Sequence, residues 1–374
     1  MVNRSAVGKW TKQPVDGQAD SAGMQPVAPS NVRPIDRSTR RLFDVRLRGF
    51  VGPADYRAMV EIYSACAPVD GLDEVLTIAD LASFFENPVG FDPKRDLFLA
   101  EVHRHVVGYA WVSHRVETAG TETHTLRGYV HPSFRRRGIG SAFLDGMEAR
   151  SLAWEDRPDG TRPAFLQAFA ADSELGGLGF CPARGFVPIR YAFKMERDLT
   201  STPIPSLPLP SGLEVRPSDE SQDRAIWEAE REAFQDHWGY TPWPEENFQR
   251  FISFPHYDRS LWRVAWEGDQ VAGMVLNYIN QEENAHFGRL RGYTEDIAVR
   301  RPWRRRGLAR ALIAQSLAAL KARGMTAAAL GVDAENPTGA LRLYESLGFR
   351  PFKQWTYFRR PLGPIPPAAH PTTA

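Results

Sequence analysis

Val299-Arg300-Arg301-Pro302-Trp303-Arg304-Arg305-Arg306-Gly307-Leu308-Ala309-Arg310-Ala311-Leu312 is the stretch on which the reading of this chain turns. The run before it, Glu295-Asp296-Ile297-Ala298-Val299, has the alternation of a strand. After Gly307 the apolar residues Ala309, Leu312, Ile313, Leu317 and Leu320 fall on one stripe of a helix, with Arg310 and Lys321 elsewhere on its circumference. Gly307 is therefore expected in a strand-to-helix turn. Such a turn exposes the unpaired N–H groups of a helix N-terminus, with the positive end of the helix dipole behind them, and so favours a phosphate or pyrophosphate. Gly307 and Ala309 keep side chains clear of a close ligand, while Arg304, Arg305 and Arg306 add positive charge.

The same pattern occurs earlier. Val130-His131-Pro132-Ser133-Phe134-Arg135-Arg136-Arg137-Gly138-Ile139-Gly140 repeats it at a constant offset, Val130 matching Val299 and Gly138 matching Gly307, and Phe143, Leu144 and Met147 continue a helical stripe. Two copies, each after a predicted hairpin, argue for a duplicated domain, and 374 residues suit two domains. The first copy differs toward its end. Aligning Gly185-Phe186 with Gly348-Phe349 sets Cys181 opposite Tyr344, and Gly176, Gly177, Gly179 and Pro182 predict a helix that is short or absent there.

Composition narrows the function. Hydrophobic residues make up 43% and charged residues 24%, ordinary for a globular protein. With 46 basic against 45 acidic residues there is no overall field to recruit nucleic acid or an anionic membrane, so neither is expected as a partner. Cys66 and Cys181 are the two cysteines, and their spacing excludes a Cys-x-x-Cys zinc or redox pair and a disulfide framework; no metal is expected. No run of 18 apolar residues and no signal-peptide pattern occurs, which points to a cytoplasmic protein.

Arg304-x-x-Gly307-x-Ala309, between a strand and an amphipathic helix, resembles the Arg/Gln-x-x-Gly-x-Gly/Ala signature of the GNAT acyl-CoA N-acyltransferases. Asn336-Pro337-Thr338-Gly339-Ala340-Leu341-Arg342-Leu343-Tyr344-Glu345-Ser346-Leu347-Gly348-Phe349 is similar to the second half of the same fold, at the distance the family uses. The resemblance implies an α/β (mixed α+β) protein of two tandem GNAT domains, each a mixed, mostly antiparallel sheet with flanking helices. The boundaries expected are a disordered leader over 1–38, a degenerate first domain over 39–197, a Pro-rich linker over 198–212, a catalytic second domain over 213–361 and a disordered tail over 362–374.

The resemblance also implies acetyl-CoA, or another acyl-CoA, as cofactor and a small-molecule amine as acceptor, in a monomer or homodimer. Cofactor contacts are then expected from the backbone of Ile297, Ala298 and Val299, from Arg304, Arg305, Arg306, Gly307, Leu308, Ala309 and Arg310, and from Asn336. In the first copy they fall on Val130, Arg135, Arg136, Arg137, Gly138, Ile139 and Gly140. Acyl transfer needs an acid for the departing thiolate and a base for the amine. Asn336 is a good helix N-cap, Pro337 suits the first helical position, and Ala340, Leu343, Tyr344 and Leu347 share a face, so Tyr344 points at the sheet. By residue type alone Tyr344 suits a core tyrosine; the family pattern Tyr-x-x-x-Gly-Phe makes it the acid. Glu295, expected on the face of Ile297 and Val299 with Asp296 on the other, is the base the resemblance suggests, Asp296 standing in reserve. His237, Trp238 and Tyr240 follow a helix expected over 218–238, where the family places acceptor contacts. A non-catalytic acyl-CoA-binding module is the alternative function.

Overall fold

A computed structural model describes residues 45–154, 162–336 and 338–363. The expected leader, Pro337 and the tail beyond 363 lie outside the described residues. Leu362 does not belong to a loose tail: it is 2% exposed, packs in the first-half core, and its N–H donates to Ala164 O at 2.8 Å.

In the first half, β1 (Val45–Gly49) leads into α1 (Tyr56–Asp70), α2 (Ile78–Glu86) and the single turn α3 (Pro93–Asp96). Then come β2 (Leu97–Val102), β3 (His105–Val116), β4 (Glu122–Val130), α4 (Ile139–Leu152), β5 (Ala164–Ala171), α5 (Leu175–Ala183) and β6 (Val187–Asp198). The second half repeats the plan with β7 (Glu214–Arg216), α6 (Asp223–Ala233), α7 (Glu245–Ile252), β8 (Arg263–Glu267), β9 (Gln270–Tyr278) and the added helix α8 (Gln281–Phe287). It ends with β10 (Arg291–Val299), α9 (Leu308–Ala322), β11 (Ala327–Asp333), α10 (Ala340–Ser346) and β12 (Arg350–Pro361).

Local chemistry sets the boundaries. The β2–β3 turn places His103 and Arg104 at φ 49° and 66°, the left-handed pair of a two-residue hairpin. Helix α2 begins at Ile78 because Thr77 and Asp80 cap one another's backbone N–H groups. The helix read as far as Trp238 stops at Ala233, followed by one 3₁₀ turn and then His237 in extended conformation. Helix α5, expected to be short or absent, is nine residues long. Packing explains one of its glycines: a Cβ on Gly177 would lie 2.9 Å from Cβ of Ala170, so the helix rests directly on β5, with Leu178, Phe180 and Cys181 in the apolar cluster.

Among the described residues twelve strands join one sheet in the order β1-β2-β3-β4-β5-β12-β6-β11-β10-β9-β8-β7. The halves exchange their last strands. β6, from the first half, runs antiparallel to β11, with Asp333 opposite Ala192 and Ala327 opposite Asp198. β12, from the second half, runs antiparallel to β5, with Trp355 opposite Ala171 and Pro361 opposite Phe165. The segment expected as a Pro-rich linker over 198–212 starts with the last residue of β6 and continues as an ordered strap. Leu199 is fully buried, Ile204, Leu207 and Leu209 pack on the second core, and the Arg197 guanidinium donates to Pro203 O at 2.8 Å and to Thr202 O at 3.3 Å.

Helices cover both faces of each half-sheet. α4 and α5 build one core in the first half and α1 and α2 another, as α9 with α10 and α6 with α7 do in the second. A seam therefore lies between α1/α2 and α6/α7. Across its top Arg250 Nη2 donates to Asn87 O at 2.8 Å, and His256 Nε2 lies 3.2 Å from Asp80 Oδ1. Within it Asp73 and Glu74, from the α1–α2 connection, pair with Lys194, Lys353 and Arg291.

Candidate active site

The site begins with a fault in β10. Its register against β9 runs Tyr293 to Tyr278 and Glu295 to Leu276, then slips to Ala298 opposite Met274. Asp296 takes the extra place with φ 48°, a β-bulge built on a left-handed residue. The bulge overturns the expected faces. Glu295 and Ala298 lie on the side of Leu276 and Met274, beneath α6 and α7, whereas Ile297 and Val299 pack against α9 on the other side. Asp296, buried at 4% exposure, accepts from the Tyr257 hydroxyl.

Beyond the bulge the sheet opens. β10 and β11 hold parallel register only as far as Tyr293 opposite Ala329. Two residues on, Glu295 Oε1 accepts from the Gly331 N–H at 3.1 Å, a side-chain bridge where the ladder has ended. Tyr344 reaches this opening from α10, 6% exposed and edge-on to Phe349 with ring centroids 6.2 Å apart. Burial, with the Glu295 charge adding to it, pushes its phenol well above the usual range. The tyrosine is thus protonated at neutral pH and in electrostatic range of the carboxylate.

Asn336 is not the cap of this helix. Its Oδ1 accepts from the Thr338 N–H at 2.9 Å and the Thr338 hydroxyl at 2.6 Å, an Asx turn, and α10 starts three residues after Pro337, behind left-handed Gly339.

The strand-to-helix turn expected at Gly307 is present, with a different use of arginine from the one expected. Gly307 sits at φ 85° immediately before α9, and a Cβ added to it would meet no atom within 4 Å. Arg305 precedes it at φ 60°, a conformation that costs a non-glycine residue about 1 kcal/mol or more and is characteristic of ligand clamps. Arg304, expected at the phosphates, turns inward. Its guanidinium donates to Val299 O at 2.9 Å, to Ala233 O at 3.1 Å and to the Asp236 carboxylate. Arg306 Nη2 donates to Ser211 O at 3.0 Å, and Arg305 and Arg310 are exposed on the rim. In the first half Arg135 does what Arg304 does, donating to Val130 O at 3.0 Å and bidentately to Asp70 at 2.7 and 2.6 Å. Arg136 and Gly138 take the left-handed places at φ 63° and 88°, Arg137 lies over Phe134, and Ile139 and Gly140 open α4.

His237, Trp238 and Tyr240 do not form one wall. His237 stacks on Phe234 at 4.3 Å, and burial and the nearby Arg304 lower its pKa to about 4, so it is a neutral imidazole beside the turn. Trp238 lies between the guanidiniums of Arg190, at 4.3 Å, and Arg359, at 4.5 Å. Tyr240 O accepts from the Thr118 N–H at 2.9 Å, and its side chain lines a groove of about 500 Å³ with Thr118, Arg231, Trp243 and Arg301.

Residues not singled out in the sequence complete the surroundings. Arg190 Nη2 lies 3.5 Å from Asp333, two residues past Gly331 on β11. Burial raises Asp333 to about 7, against the pull of Arg190, and lowers Arg190 to about 10. Tyr278 and Tyr293 stack at 4.7 Å beside Glu295. No local pattern marks them: the exchange of β6 brings Arg190 to Asp333, and the pairing of β9 with β10 sets Tyr278 opposite Tyr293.

The acetyltransferase (GNAT) family profile matches residues 224–349, and a GNAT acetyltransferase domain profile matches 93–173. A mycothiol acetyltransferase of Thermobispora bispora is 30% identical over 311 residues, covering 81% of this chain and 94% of its own. The chain belongs to the GNAT acetyltransferase family. A second mycothiol acetyltransferase, from Geodermatophilus obscurus, is 27% identical over 299 residues, 79% of this chain and 91% of that one. Among solved structures, a GCN5-related N-acetyltransferase of Sphaerobacter thermophilus aligns with TM-score 0.60 at 26% identity, covering 86% of this chain and 96% of its own. A tandem GNAT protein from the clavulanic acid biosynthesis pathway shares the fold at TM-score 0.62 and 16% identity, over 86% and 99% of the two chains. This GNAT protein is accordingly an N-acetyltransferase with two tandem family domains, and the comparisons favour an enzyme over a non-catalytic acyl-CoA-binding module. Among the described residues no helix is long and apolar enough to cross a membrane.

Proposed function

We propose that this GNAT enzyme transfers the acetyl group of acetyl-CoA to the primary amine of a small molecule, in the opening between β10 and β11 of the second half. The observation that carries the reading is the pairing of Glu295 and Tyr344 across that opening, within reach of the cradle that ends at Gly307. The cradle fits a pyrophosphate: the first-turn N–H groups of α9 face outward, Gly307 leaves the space in front of them open, and Arg305 and Arg310 stand at the rim. Acetyl-CoA supplies the activated acyl carbon and a thiolate leaving group. The edge of β10 at Ile297, Ala298 and Val299 faces the gap left where β11 departs, and offers backbone groups to the pantetheine arm and the thioester oxygen.

Glu295, held by the Gly331 N–H, takes a proton from the attacking amine, directly or through one water, as the nitrogen–carbon bond forms. When the carbon–sulfur bond breaks, Tyr344 returns a proton to sulfur. Its high pKa keeps the phenol loaded, and the same burial raises the proton affinity of a thiolate formed beside it. The acceptor reaches Glu295 from the seam, past Tyr278, Tyr293, the Arg190–Asp333 pair and Trp238.

The relatives named mycothiol acetyltransferases make a mycothiol-type amine the first acceptor to test. The test is release of free thiol from acetyl-CoA with a panel of amines that includes it, in wild type and in Glu295→Gln. Turnover with one amine, lost in the variant while cofactor binding persists, is the expected result. Wild-type turnover that survives in Glu295→Gln and in Tyr344→Phe would place the chemistry elsewhere.

A further inference from the structure

The expectation of no metal rested on the cysteines, and the first half holds a different donor set. We infer that His114, Glu122 and His124 form a binding site for a divalent cation of the zinc class at the turn end of the β3–β4 hairpin. The hairpin register sets His114 directly opposite His124. Glu122 lies two residues before His124 on the same strand, so the pleat puts all three side chains on one face. One donor atom from each lies within 4.8 Å of the other two.

Both imidazoles turn to one carboxylate oxygen. Glu122 Oε1 is 3.3 Å from His114 Nε2 and 2.8 Å from His124 Nε2. A tetrahedral ion with bonds of about 2.0–2.1 Å to nitrogen and oxygen holds its donors about 3.3–3.4 Å apart. The first edge already has that length, and the second reaches it when one ring shifts by about half an ångström. Two imidazoles and one carboxylate are a nitrogen and oxygen set that suits zinc better than calcium, which takes oxygen donors.

The surroundings favour a cation as well. Glu122 and His124 side chains are 3% and 0% exposed, so the carboxylate charge sits where water screens it little. The Trp154 ring packs against both imidazoles, tilted to His114 at 5.1 Å and edge-on to His124 at 5.6 Å. Arg150, over the Trp154 ring at 4.2 Å from its centroid, donates to Asp96 at 2.6 Å. The His114 side chain, 13% exposed, leaves the ion a solvent-side fourth position.

A bound ion would fasten the two strands just below the hairpin tip, where Thr118 N–H donates to Tyr240 O of the second half at 2.9 Å. Occupancy should therefore stabilise the protein without entering acetyl transfer. The full-length protein is stripped with chelator, given zinc, passed through gel filtration and assayed for metal; a parallel sample receives cobalt(II) for visible spectroscopy. Wild type is expected to retain a stoichiometric amount of zinc, to melt at a higher temperature as zinc is added, and to show the intense tetrahedral cobalt band. His124→Ala should lose the retention and the zinc-dependent shift and keep acetyl transfer at saturating substrates. Equal zinc retention in wild type and variant, or a wild type with no retention and a weak octahedral cobalt spectrum, would overturn the site and leave a hydrogen-bonded His–Glu–His triad. The cobalt spectrum of wild type decides the matter even if the variant does not fold.

Discussion

The two halves share one backbone device and differ in what stands beside it. In each, a strand ends in a turn with a left-handed arginine and a left-handed glycine, and a part-buried arginine ties that turn to the end of the first long helix of its half. In each, the strand leading into the turn parts from its parallel neighbour, after Thr125 opposite Gln167 in the first half and after Tyr293 opposite Ala329 in the second. Two residues further on stand Arg127 and Glu295. Counting back from the repeated Arg-x-x-Gly turn would set Leu126 against Glu295. The bulge at Asp296 adds one residue to β10, whereas β4 keeps an unbroken register against β3, so the position of Glu295 falls to Arg127. The Arg127 guanidinium donates to Phe169 O at 3.0 Å and lies over the Phe169 ring at 4.6 Å, filling the opening with a fixed positive charge. Cys181, its thiol pushed up to about 11 by burial, stands where the second half has Tyr344. The turn is thus kept in a half that has neither a carboxylate nor a phenol at the matching places.

The largest effect should come from the proposed acid, Tyr344. Tyr344→Phe keeps the ring that packs on Phe349 and removes one hydroxyl, so kcat should fall by about 10²- to 10⁴-fold with little change in the KM for acetyl-CoA. The matching change in the first half, Cys181→Ser, should leave kcat within about two-fold. Steady-state kinetics under conditions where chemistry limits the rate compares them, and equal losses would abolish the distinction between the halves.

Next comes the exchange of charge at the two openings. Glu295→Gln should lower kcat by about 10²-fold. Arg127→Leu should spare kcat and destabilise the protein by about 1–3 kcal/mol, because the Glu174 carboxylate 3.3 Å from Arg127 loses its partner. Denaturant titration alongside kinetics separates the two outcomes.

Arg304→Ala tests whether the arginine staples the turn or holds the cofactor. With its donors committed to Val299 O, Ala233 O and Asp236, its loss should appear as about 1.5–3 kcal/mol of stability, and Arg135→Ala should mirror it. A stable Arg304→Ala protein whose KM for acetyl-CoA alone rises would return Arg304 to the phosphates.

The smallest expected effect is a slope with pH. His237 titrates at about 4 in the folded protein, below the ordinary value near 6.5, so between those values the unfolded chain binds more protons. Stability is therefore lost as pH falls through that window. Because the ring is half-buried, the contribution is screened to about 1 kcal/mol or less. Melting curves between pH 7 and pH 4 should be slightly flatter for His237→Gln than for wild type, and identical slopes would mean that Arg304 and burial leave the imidazole unperturbed.

Local features were legible because their physics is local. The hairpins, the two strand-to-helix turns and the glycines at 138 and 307 depend on dihedral preference and on periodicity within a few residues. The duplication followed from two such turns, and the family resemblance carried Tyr344 to the position where the structure buries it facing Glu295. Helix α8 had a readable signal in the Asn280 cap and the stop at Gly288, and was missed for want of apolar periodicity.

What tertiary structure alone decided is everything that depends on a distant partner. The bulge at Asp296, which sets the face of Glu295, exists only in the pairing of β10 with β9, and a one-residue slip reverses every side chain beyond it. Arg304 has two backbone carbonyls and a carboxylate within reach, and a guanidinium that is part-buried takes those fixed partners rather than waiting for a ligand. The exchange of β6 and β12 joins strands far apart in the chain, and so brings Arg190 to Asp333 and Trp238 between two arginines. Side-chain periodicity states which face of a strand is covered; which strand lies beside it is settled by the packing of the whole sheet.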